Sequence, residues 1–223
     1  MYQHTRVDGS VIDLPVGKAV CVGRNYAAHA RELGNAVPET PILFLKPRTA
    51  MVPLSPDFAI PADRGGCHHE TEIAVLIGRT ATNISRDEAP GVIAGYGLAL
   101  DLTLRDLQNQ LKKQGYPWEV SKAFDGACPL SPFISPEAMG DVTTVELALT
   151  VNGEPRQQGQ VQDMITGIYE LVAYISRIFT LEPGDVVLTG TPEGVAALAG
   201  GDRLVMTLGN GGKTLATFIS AVR

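Results

Sequence analysis

A β-hairpin signal in the second half of the chain limits the possible folds more strongly than any other segment. Residues Val145–Val151 alternate apolar and polar side chains and are followed by Asn152-Gly153. This dipeptide tolerates the positive φ values that a tight type I′ turn requires. Farther along, residues 203–208 are predicted to pair with residues 214–219 across the glycine-rich turn 209–212. Antiparallel β-structure is therefore expected to make up much of this half.

Further short apolar or alternating runs, separated by glycine, proline and polar residues, are predicted to be strands. These predicted strands are residues 19–22, 42–45, 69–77, 95–103 and 185–188. The predicted helices are fewer, covering residues 25–33, 104–114 and 163–179, of which the last is the longest. Many strands and few helices favour an α+β, β-rich domain over a parallel βαβ repeat.

The composition is that of one globular domain. The 223 residues are 44% hydrophobic and 19% charged, which allows one sizeable core. A net charge of −6 argues against a nucleic-acid or anionic-membrane partner, since either would favour a basic patch. The most apolar stretch, residues 91–100, is too short to span a membrane.

Cysteine usage indicates the compartment. Cys21, Cys67 and Cys128 are far apart in sequence, and none forms a CxxC pair of the redox or zinc type. A reducing setting is therefore expected. Residues 1–16 lack the cationic start and apolar run of a secretory signal, so we expect a cytoplasmic protein.

Three carboxylates form a candidate metal site. On the predicted strand 69–77, a period of two places Glu70 and Glu72 on one face. On the predicted strand 95–103, Asp101 faces away from the leucines, where a buried aspartate needs a cation or hydrogen bonds. Hard cations such as Mg²⁺ bind two or three such carboxylates and keep positions open for water or substrate.

Two other interpretations of these residues stay open. An E-x-E pair on a strand is more often a solvated polar face than a metal site. His68 and His69 flank the carboxylates and suggest a zinc or iron site instead. Against that suggestion, His69 and Glu70 point to opposite faces of one strand, and no third His or Cys stands at a ligand spacing.

His29 and Glu32 are the candidate general base and its orienting group. Asn25 is predicted to cap their helix, which places the two side chains one turn apart on one face. A carboxylate at that spacing can hold an imidazole in the tautomer that accepts a proton. The alternative is a surface histidine on an amphipathic helix. The later turn Gly190-Thr191-Pro192 can offer backbone N–H groups and a hydroxyl to a carboxylate.

Taken together, the motifs resemble the fumarylacetoacetate hydrolase superfamily. The matching segments are residues 21–26 (CVGRNY), the helix carrying His29 and Glu32, residues 44–47 (FLKP), residues 68–72 (HHETE), residues 95–106 and residues 188–192 (LTGTP). The likeness is nearest to the short acylpyruvase and oxaloacetate decarboxylase branch. It implies a mixed β-roll that is usually a homodimer, with one catalytic domain over residues 1–223. Residues 1–18 would form an N-terminal extension or strand, and residues 19–223 the core.

The resemblance also implies a role for each site residue. Glu70, Glu72 and Asp101 would bind Mg²⁺ or Mn²⁺, and Lys122 matches the active-site lysine of the family. The positions that match residues lining the pocket or holding the substrate carboxylate are Arg24, Tyr26, Lys46, Arg105, Gln108 and Thr191. His29 and Glu32 match a dyad on a lid that orders when ligand binds.

A small keto acid bearing a pyruvoyl group is the expected substrate. The first hypothesis is cleavage of the C–C bond of an acylpyruvate or fumarylpyruvate to pyruvate and a carboxylic acid, with water activated by His29 and charge neutralised by Lys122. Alternatives on the same site are decarboxylation of oxaloacetate, and isomerisation or decarboxylation of a 2-hydroxy-dienedioate in aromatic degradation. A catalytically silent binding protein would leave the acidic cluster without a purpose.

Overall fold

The computed structural model describes residues 2–223 of the chain. In chain order, its strands are β1 (Ala19–Gly23), β2 (Ile42–Lys46), β3 (Met51–Pro53), β4 (Asp57–Phe58), β5 (Cys67–His69), β6 (Thr71–Ile77), β7 (Ile93–Leu100), β8 (Thr103–Leu104), β9 (Cys128–Leu130), β10 (Val145–Val151), β11 (Glu154–Gln160), β12 (Val186–Leu188), β13 (Ala196–Ala197), β14 (Arg203–Asn210) and β15 (Lys213–Val222). The α-helices are α1 (Ala27–Glu32), α2 (Arg105–Gln114), α3 (Glu119–Lys122), α4 (Pro136–Met139) and α5 (Ile168–Ser176). The predicted α+β, β-rich fold is confirmed.

Across the described residues, the strands form three sheets. The largest has the order β2-β1-β12-β6-β7-β9-β3 and is mixed, since β1 pairs in parallel with β12 while β6 is antiparallel to both β12 and β7. A second sheet has the order β11-β10-β14-β15-β4, and a third, small sheet joins β13, β5 and β8. Because β10 and β14 contact β6 and β7, the second sheet covers part of the first and the core lies between them.

Both predicted hairpins are present. β10 and β11 pair up to Val151 and Glu154, with φ of 54° at Asn152 and 84° at Gly153. β14 pairs with β15 along its length, from Arg203 opposite Ala221 to Asn210 opposite Lys213. The alternation of apolar and polar residues was therefore a sound guide to pairing in this half.

The prediction of one long helix over residues 163–179 is wrong. α5 has nine residues and is shorter than α2, which has ten. α5 begins later than predicted because the segment before it bonds to the side chain of Asn25. Asn25 donates from Nδ2 to the carbonyl of Thr166 (2.9 Å), and its Oδ1 accepts from the Thr166 amide (2.9 Å). Those backbone groups are thus not free to extend the helix toward its N-terminus.

The same side chain corrects the predicted start of α1. Asn25 does not cap that helix, since its Nδ2 also donates to the carbonyl of Thr189 (2.8 Å), and Tyr26 takes the N-cap position. Asn25 thereby ties together the chain before α1, the turn after β12 and the segment before α5.

The first residues of the described chain pack against the core without forming a strand of the main sheets. The Val7 amide donates to the carbonyl of Phe133, and buried His4 bonds the carbonyl of Gly184 (3.1 Å). Within residues 2–223, no helix combines the length and apolar character needed to cross a membrane.

Candidate metal-binding active site

Two neighbouring strands bring the predicted carboxylates together. Glu70 lies just before β6, Glu72 lies within it, and Asp101 follows the end of β7. The β6–β7 register places Thr71 opposite Leu100, so the Asp101 amide donates to the Glu70 carbonyl (2.8 Å). One oxygen from each of the three buried carboxylates lies within 4.8 Å of the others. This spacing suits three ligands of a single cation.

Cations surround two of these carboxylates. The Lys122 ammonium lies between Glu70 Oε2 (2.8 Å) and Asp101 Oδ2 (2.6 Å). Arg105 pairs with the other oxygen of Glu70, and Lys46 lies 2.8 Å from Asp101 Oδ1. Burial alone would raise the pKa of Glu70, but Lys122 and Arg105 hold it below its usual range. Burial alone would lower the pKa of Lys122, but Asp101 and Glu70 raise it, so Lys122 stays an ammonium.

Glu72 has a different environment. No Lys, Arg or His nitrogen of residues 2–223 lies within 4.0 Å of its carboxylate, and its Oε2 accepts from the Gly190 amide (2.6 Å). Burial and the neighbouring carboxylates of Asp101 and Glu70 raise the pKa of Glu72 well above its usual range. A divalent cation would supply the positive charge that Glu72 lacks. The all-oxygen donor set fits Mg²⁺ or Mn²⁺.

The histidines next to the carboxylates take no part in this cluster. His69 Nδ1 bonds Gln157 Oε1 (3.0 Å) within the core. His68 faces a neighbouring cavity instead of the carboxylates. The alternative of a zinc or iron site with His68 and His69 as ligands thus has no geometric support.

The His29–Glu32 dyad lies at the mouth of the site. His29 Nδ1 is 3.3 Å from Glu32 Oε2, and Glu32 Oε1 accepts from the Gly194 amide (3.0 Å). His29 is buried and faces the carboxylate cavity, whereas Glu32 is partly exposed. Since Nδ1 is engaged by Glu32, Nε2 is the ring atom left to exchange a proton with a ligand. Glu32 also ties α1 to the loop after β12.

A narrow cavity of about 30 Å³ joins most of the predicted site residues. Those lining it are Arg24, His29, Glu70, Glu72, Asp101, Arg105, Gln108, Lys122 and Thr191. The free space between these side chains is therefore small, enough for an ion or for one or two water molecules. Two larger cavities, of about 600 and 750 Å³, are lined by none of the predicted residues.

Two predicted substrate-binding residues lie behind the cavity wall. Lys46 is fully buried and donates to the carbonyls of Ala127 (3.0 Å) and Lys122 as well as pairing with Asp101. Because its ammonium is saturated by these partners, Lys46 positions Asp101 and has no free donor for a substrate. Tyr26 is buried at the start of α1 and does not line the cavity, and its role in substrate binding stays a prediction.

The turn after β12 orders the site through its hydrogen bonds. Thr191 Oγ1 donates to the Thr71 carbonyl (2.9 Å) and accepts from Gln157 Nε2 (2.7 Å). The Gly190 amide, which the sequence suggested as a carboxylate donor, donates to Glu72 of the protein itself. The turn therefore fixes one predicted metal ligand and the start of β6.

Sequence reasoning assigned no role in the site to several side chains that line the cavity, among them Phe44, Trp118 and Lys112. Phe44 and Trp118 form an apolar wall, with the Lys122 ammonium 5.1 Å from the Phe44 ring centre. Lys112 lines the same cavity from α2. The signal for Lys112 was present in the sequence, because it follows Arg105 and Gln108 by seven and four residues on one helical face.

The fold and this site point to a class: a β-rich protein in which three buried carboxylates that could hold a divalent cation lie beside a His–Glu pair. Within that class, the chain belongs to the fumarylacetoacetate hydrolase family. The family model described as fumarylacetoacetate (FAA) hydrolase C-terminal matches residues 18–222. The predicted family membership is confirmed.

Individual relatives are similar over most of their length. The chain is 56% identical to the oxaloacetate tautomerase YcgM of Escherichia coli over 208 residues, which are 93% of this chain and 95% of YcgM. It is 44% identical to the human mitochondrial oxaloacetate tautomerase FAHD1 over 83% of this chain and 84% of FAHD1. A crystal structure of fumarylpyruvate hydrolase from Pseudomonas aeruginosa with Mn²⁺ and pyruvate superposes with a TM-score of 0.90 at 37% identity, covering 99% of this chain and 95% of that one.

Proposed function

We propose that this protein is a divalent-metal-dependent enzyme that interconverts the enol and keto forms of oxaloacetate. The observation that carries the proposal is the convergence of three buried carboxylates, Lys122 and His29 on one cavity. Similarity to two oxaloacetate tautomerases, one of them at 56% identity over nearly the whole chain, supports the choice of reaction. We propose Mg²⁺ as the working metal, with Mn²⁺ as a substitute, held by Glu70, Glu72 and Asp101.

The proposed chemistry divides between the metal and the side chains. When bound, a divalent cation stabilises negative charge on the 2-oxo oxygen of a keto acid. His29 exchanges a proton with C3 of the substrate, and Glu32 holds the imidazole in the required tautomer. Lys122 stays protonated and stabilises charge that develops on oxygen in the transition state.

The proton balance of this reaction needs no other reactant. Removal of a proton from C3 of the keto form, followed by protonation of the C2 oxygen, gives the enol, and the reverse sequence gives the ketone. In this proposal α1, which places His29 in the cavity wall, shields the carbanion-like centre from bulk water. Decarboxylation of oxaloacetate would place the electrons of the broken C3–C4 bond on the same C2 oxygen and would release the C4 carboxylate as CO₂.

Hydrolysis of an acylpyruvate, the first hypothesis from the sequence, is the second candidate. It is supported by the fumarylpyruvate hydrolase structure with a TM-score of 0.90 and by the position of the His29–Glu32 dyad, which can also activate water. We rank it second because the relative at 56% identity is a tautomerase, whereas the hydrolase is 37% identical.

One set of assays separates the candidates. Purified protein with Mg²⁺ should accelerate the loss of the ultraviolet absorbance of enol-oxaloacetate, and excess EDTA should abolish this activity. On the same preparation, pyruvate release from oxaloacetate, acetylpyruvate and fumarylpyruvate is measured with lactate dehydrogenase. If the protein did not accelerate the loss of enol-oxaloacetate above the rate with Mg²⁺ in buffer but rapidly hydrolysed an acylpyruvate, the tautomerase proposal would be wrong. Acylpyruvate hydrolysis would then be the proposed reaction.

A further inference from the structure

Lys112 is a cation of the site that no carboxylate neutralises. It lies half-buried on α2 and lines the carboxylate cavity together with Arg24 and Trp118. No Asp or Glu oxygen in the described chain lies within 4.0 Å of its Nζ, whereas Lys46, Lys122 and Arg105 all have such partners. Its ammonium lies 5.2 Å from the centre of the Trp118 ring, a cation–π contact that stabilises the charge without neutralising it.

The surroundings of Lys112 are strongly positive. Burial, followed by the charges of Arg24, Arg105 and Lys122, lowers the pKa of Lys112 to about 8. The three inner carboxylates are matched in number by Lys46, Arg105 and Lys122, so Lys112 and Arg24 add positive charge before any metal binds. An anion beside Lys112 would offset this surplus.

There is room for such an anion. A cavity of about 280 Å³ adjoins the carboxylate cavity, and Lys112 and Arg105 line both. The acidic residue on its wall, Glu32, has both oxygens engaged, one by His29 and the other by the Gly194 amide. A ligand that fills the small carboxylate cavity would therefore extend along Lys112 into this larger space.

From this geometry we propose that Lys112 binds the distal carboxylate of a short 2-oxo dicarboxylate, and so makes the enzyme prefer dianionic substrates to neutral-ended ones. The inference rests on the proposed function, because it places the pyruvoyl end at Glu70, Glu72 and Asp101. It extends that function by assigning the opposite end of the substrate to a separate residue. Lys112 is thus a determinant of specificity, apart from the proton transfer at His29.

Two ligands that differ in one group test the inference. Oxaloacetate carries a carboxylate where 2-oxobutanoate carries a methyl group, and both present the same pyruvoyl end. Trp118 is the only tryptophan in the sequence and lines the cavity, so its fluorescence gives a readout of binding that is separate from the activity assay. Dissociation constants of both ligands are measured with saturating Mg²⁺, over seconds after mixing, for the wild type and three variants: Lys112→Met, Lys112→Arg and Lys113→Met.

In the wild type, oxaloacetate should bind more tightly than 2-oxobutanoate. Lys112→Met should weaken oxaloacetate binding about 10- to 100-fold, the usual cost of losing a charged hydrogen bond, and change 2-oxobutanoate binding less than about twofold. Lys112→Arg should retain most of the preference. Lys113→Met is the matched control, since Lys113 is exposed, follows directly on α2 and lines neither cavity, and it should behave as the wild type.

Other results would overturn the inference. Equal weakening of the binding of both ligands in Lys112→Met would mean that the residue only supports the cavity wall. Equal affinity of the wild type for both ligands would mean that Lys112 does not bind a distal carboxylate. These outcomes are separate from failure of the proposed function. A protein that prefers oxaloacetate through Lys112 but fails to tautomerise it would retain the subsite and lose the proposed reaction.

Discussion

At the scale of single residues, the three acidic side chains of the site differ in how their charge is balanced. Glu70 and Asp101 each have two cationic partners, and they share Lys122. Glu72 has only the Gly190 amide as a hydrogen-bond donor among the described residues. A buried carboxylate without a cation costs stability in the metal-free protein. Glu72 is therefore the candidate ligand whose ionised form depends most on a bound cation.

Replacing Glu72 by Gln should separate metal binding from folding. The amide keeps the shape of the side chain and removes a carboxyl group whose ionised form burial disfavours, so the free energy of unfolding of the metal-free protein should stay the same or rise by about 1 kcal/mol. Affinity for Mg²⁺ and Mn²⁺ should fall by at least about 100-fold. This loss is larger than the usual effect of replacing a residue that only hydrogen-bonds to a metal ligand. Calorimetric titration and urea unfolding measure the two quantities.

Glu119→Gln is the control for that substitution, because it makes the same chemical change at an exposed position on α3. It should alter neither metal affinity nor stability. If Glu72→Gln bound Mg²⁺ as tightly as the wild type, the carboxylate trio would not be the metal site.

At the scale of elements, the site depends on how strand ends and turns meet. β6 and β7 bring the carboxylates together, and the turn after β12 adds the amide that holds Glu72. Gly190 in that turn has φ of +97°, and a Cβ there would lie 2.6 Å from Asn25 Cβ. Asn25 in turn holds the start of the α5 segment through Thr166. The turn after β12 therefore connects the chain before α1, the segment before α5 and the candidate metal ligand Glu72.

Gly190→Ala should damage both stability and the site. The positive φ costs about 1–3 kcal/mol for a residue with a side chain, and crowding in a packed core adds about 1–3 kcal/mol. We expect the free energy of unfolding in urea to fall by at least about 2 kcal/mol and Mg²⁺ affinity to fall with it. Gly201→Ala is the matched control, since Gly201 has φ of +93° and an added Cβ meets no atom within 4 Å. Equal destabilisation of the two variants would show that contact with Asn25 is unimportant.

The elements also show what the sequence could and could not predict. Val145–Val151 and its Asn-Gly turn were predictable because hairpins depend on neighbouring residues. The E-x-E pattern placed Glu70 and Glu72 together for the same local reason. Lys46, by contrast, was assigned to the substrate but holds Asp101, and Asn25 was assigned as a cap but bonds residues 141 and 164 positions away. Such long-range contacts leave no local periodicity to detect.

At the scale of the whole molecule, metal binding at the proposed site would be coupled to folding. The site joins β6, β7 and the turn after β12, so a bound ion would link segments that are far apart in the chain. The predicted single domain over residues 1–223 and the homodimer stay predictions; analytical ultracentrifugation would determine the oligomeric state. The cytoplasmic location likewise stays a prediction.

Mg²⁺ should therefore raise the melting temperature. At 100 times its dissociation constant, a ligand that binds only the folded state adds about 2.7 kcal/mol. For a domain of this size, that corresponds to an increase of about 5–10 °C in differential scanning calorimetry. The Glu72→Gln variant should show almost none of this increase. A similar shift in both proteins would indicate that the ion acts at other sites.

The proposed function requires this site to move a proton at C3 of a 2-oxo acid, and hydrogen exchange measures that step directly. In D₂O, the C3 protons of 2-oxobutanoate are followed by NMR with protein and Mg²⁺, at a ligand concentration that saturates the change in Trp118 fluorescence. The wild type should replace these protons with deuterium well above the rate for Mg²⁺ alone, and His29→Ala should reduce the enzymatic rate by about 10²–10⁴-fold with ligand still bound. Saturated wild-type protein that exchanges these protons no faster than Mg²⁺ in buffer, or a His29→Ala variant as fast as the wild type, would show that the site does not move the C3 proton through His29.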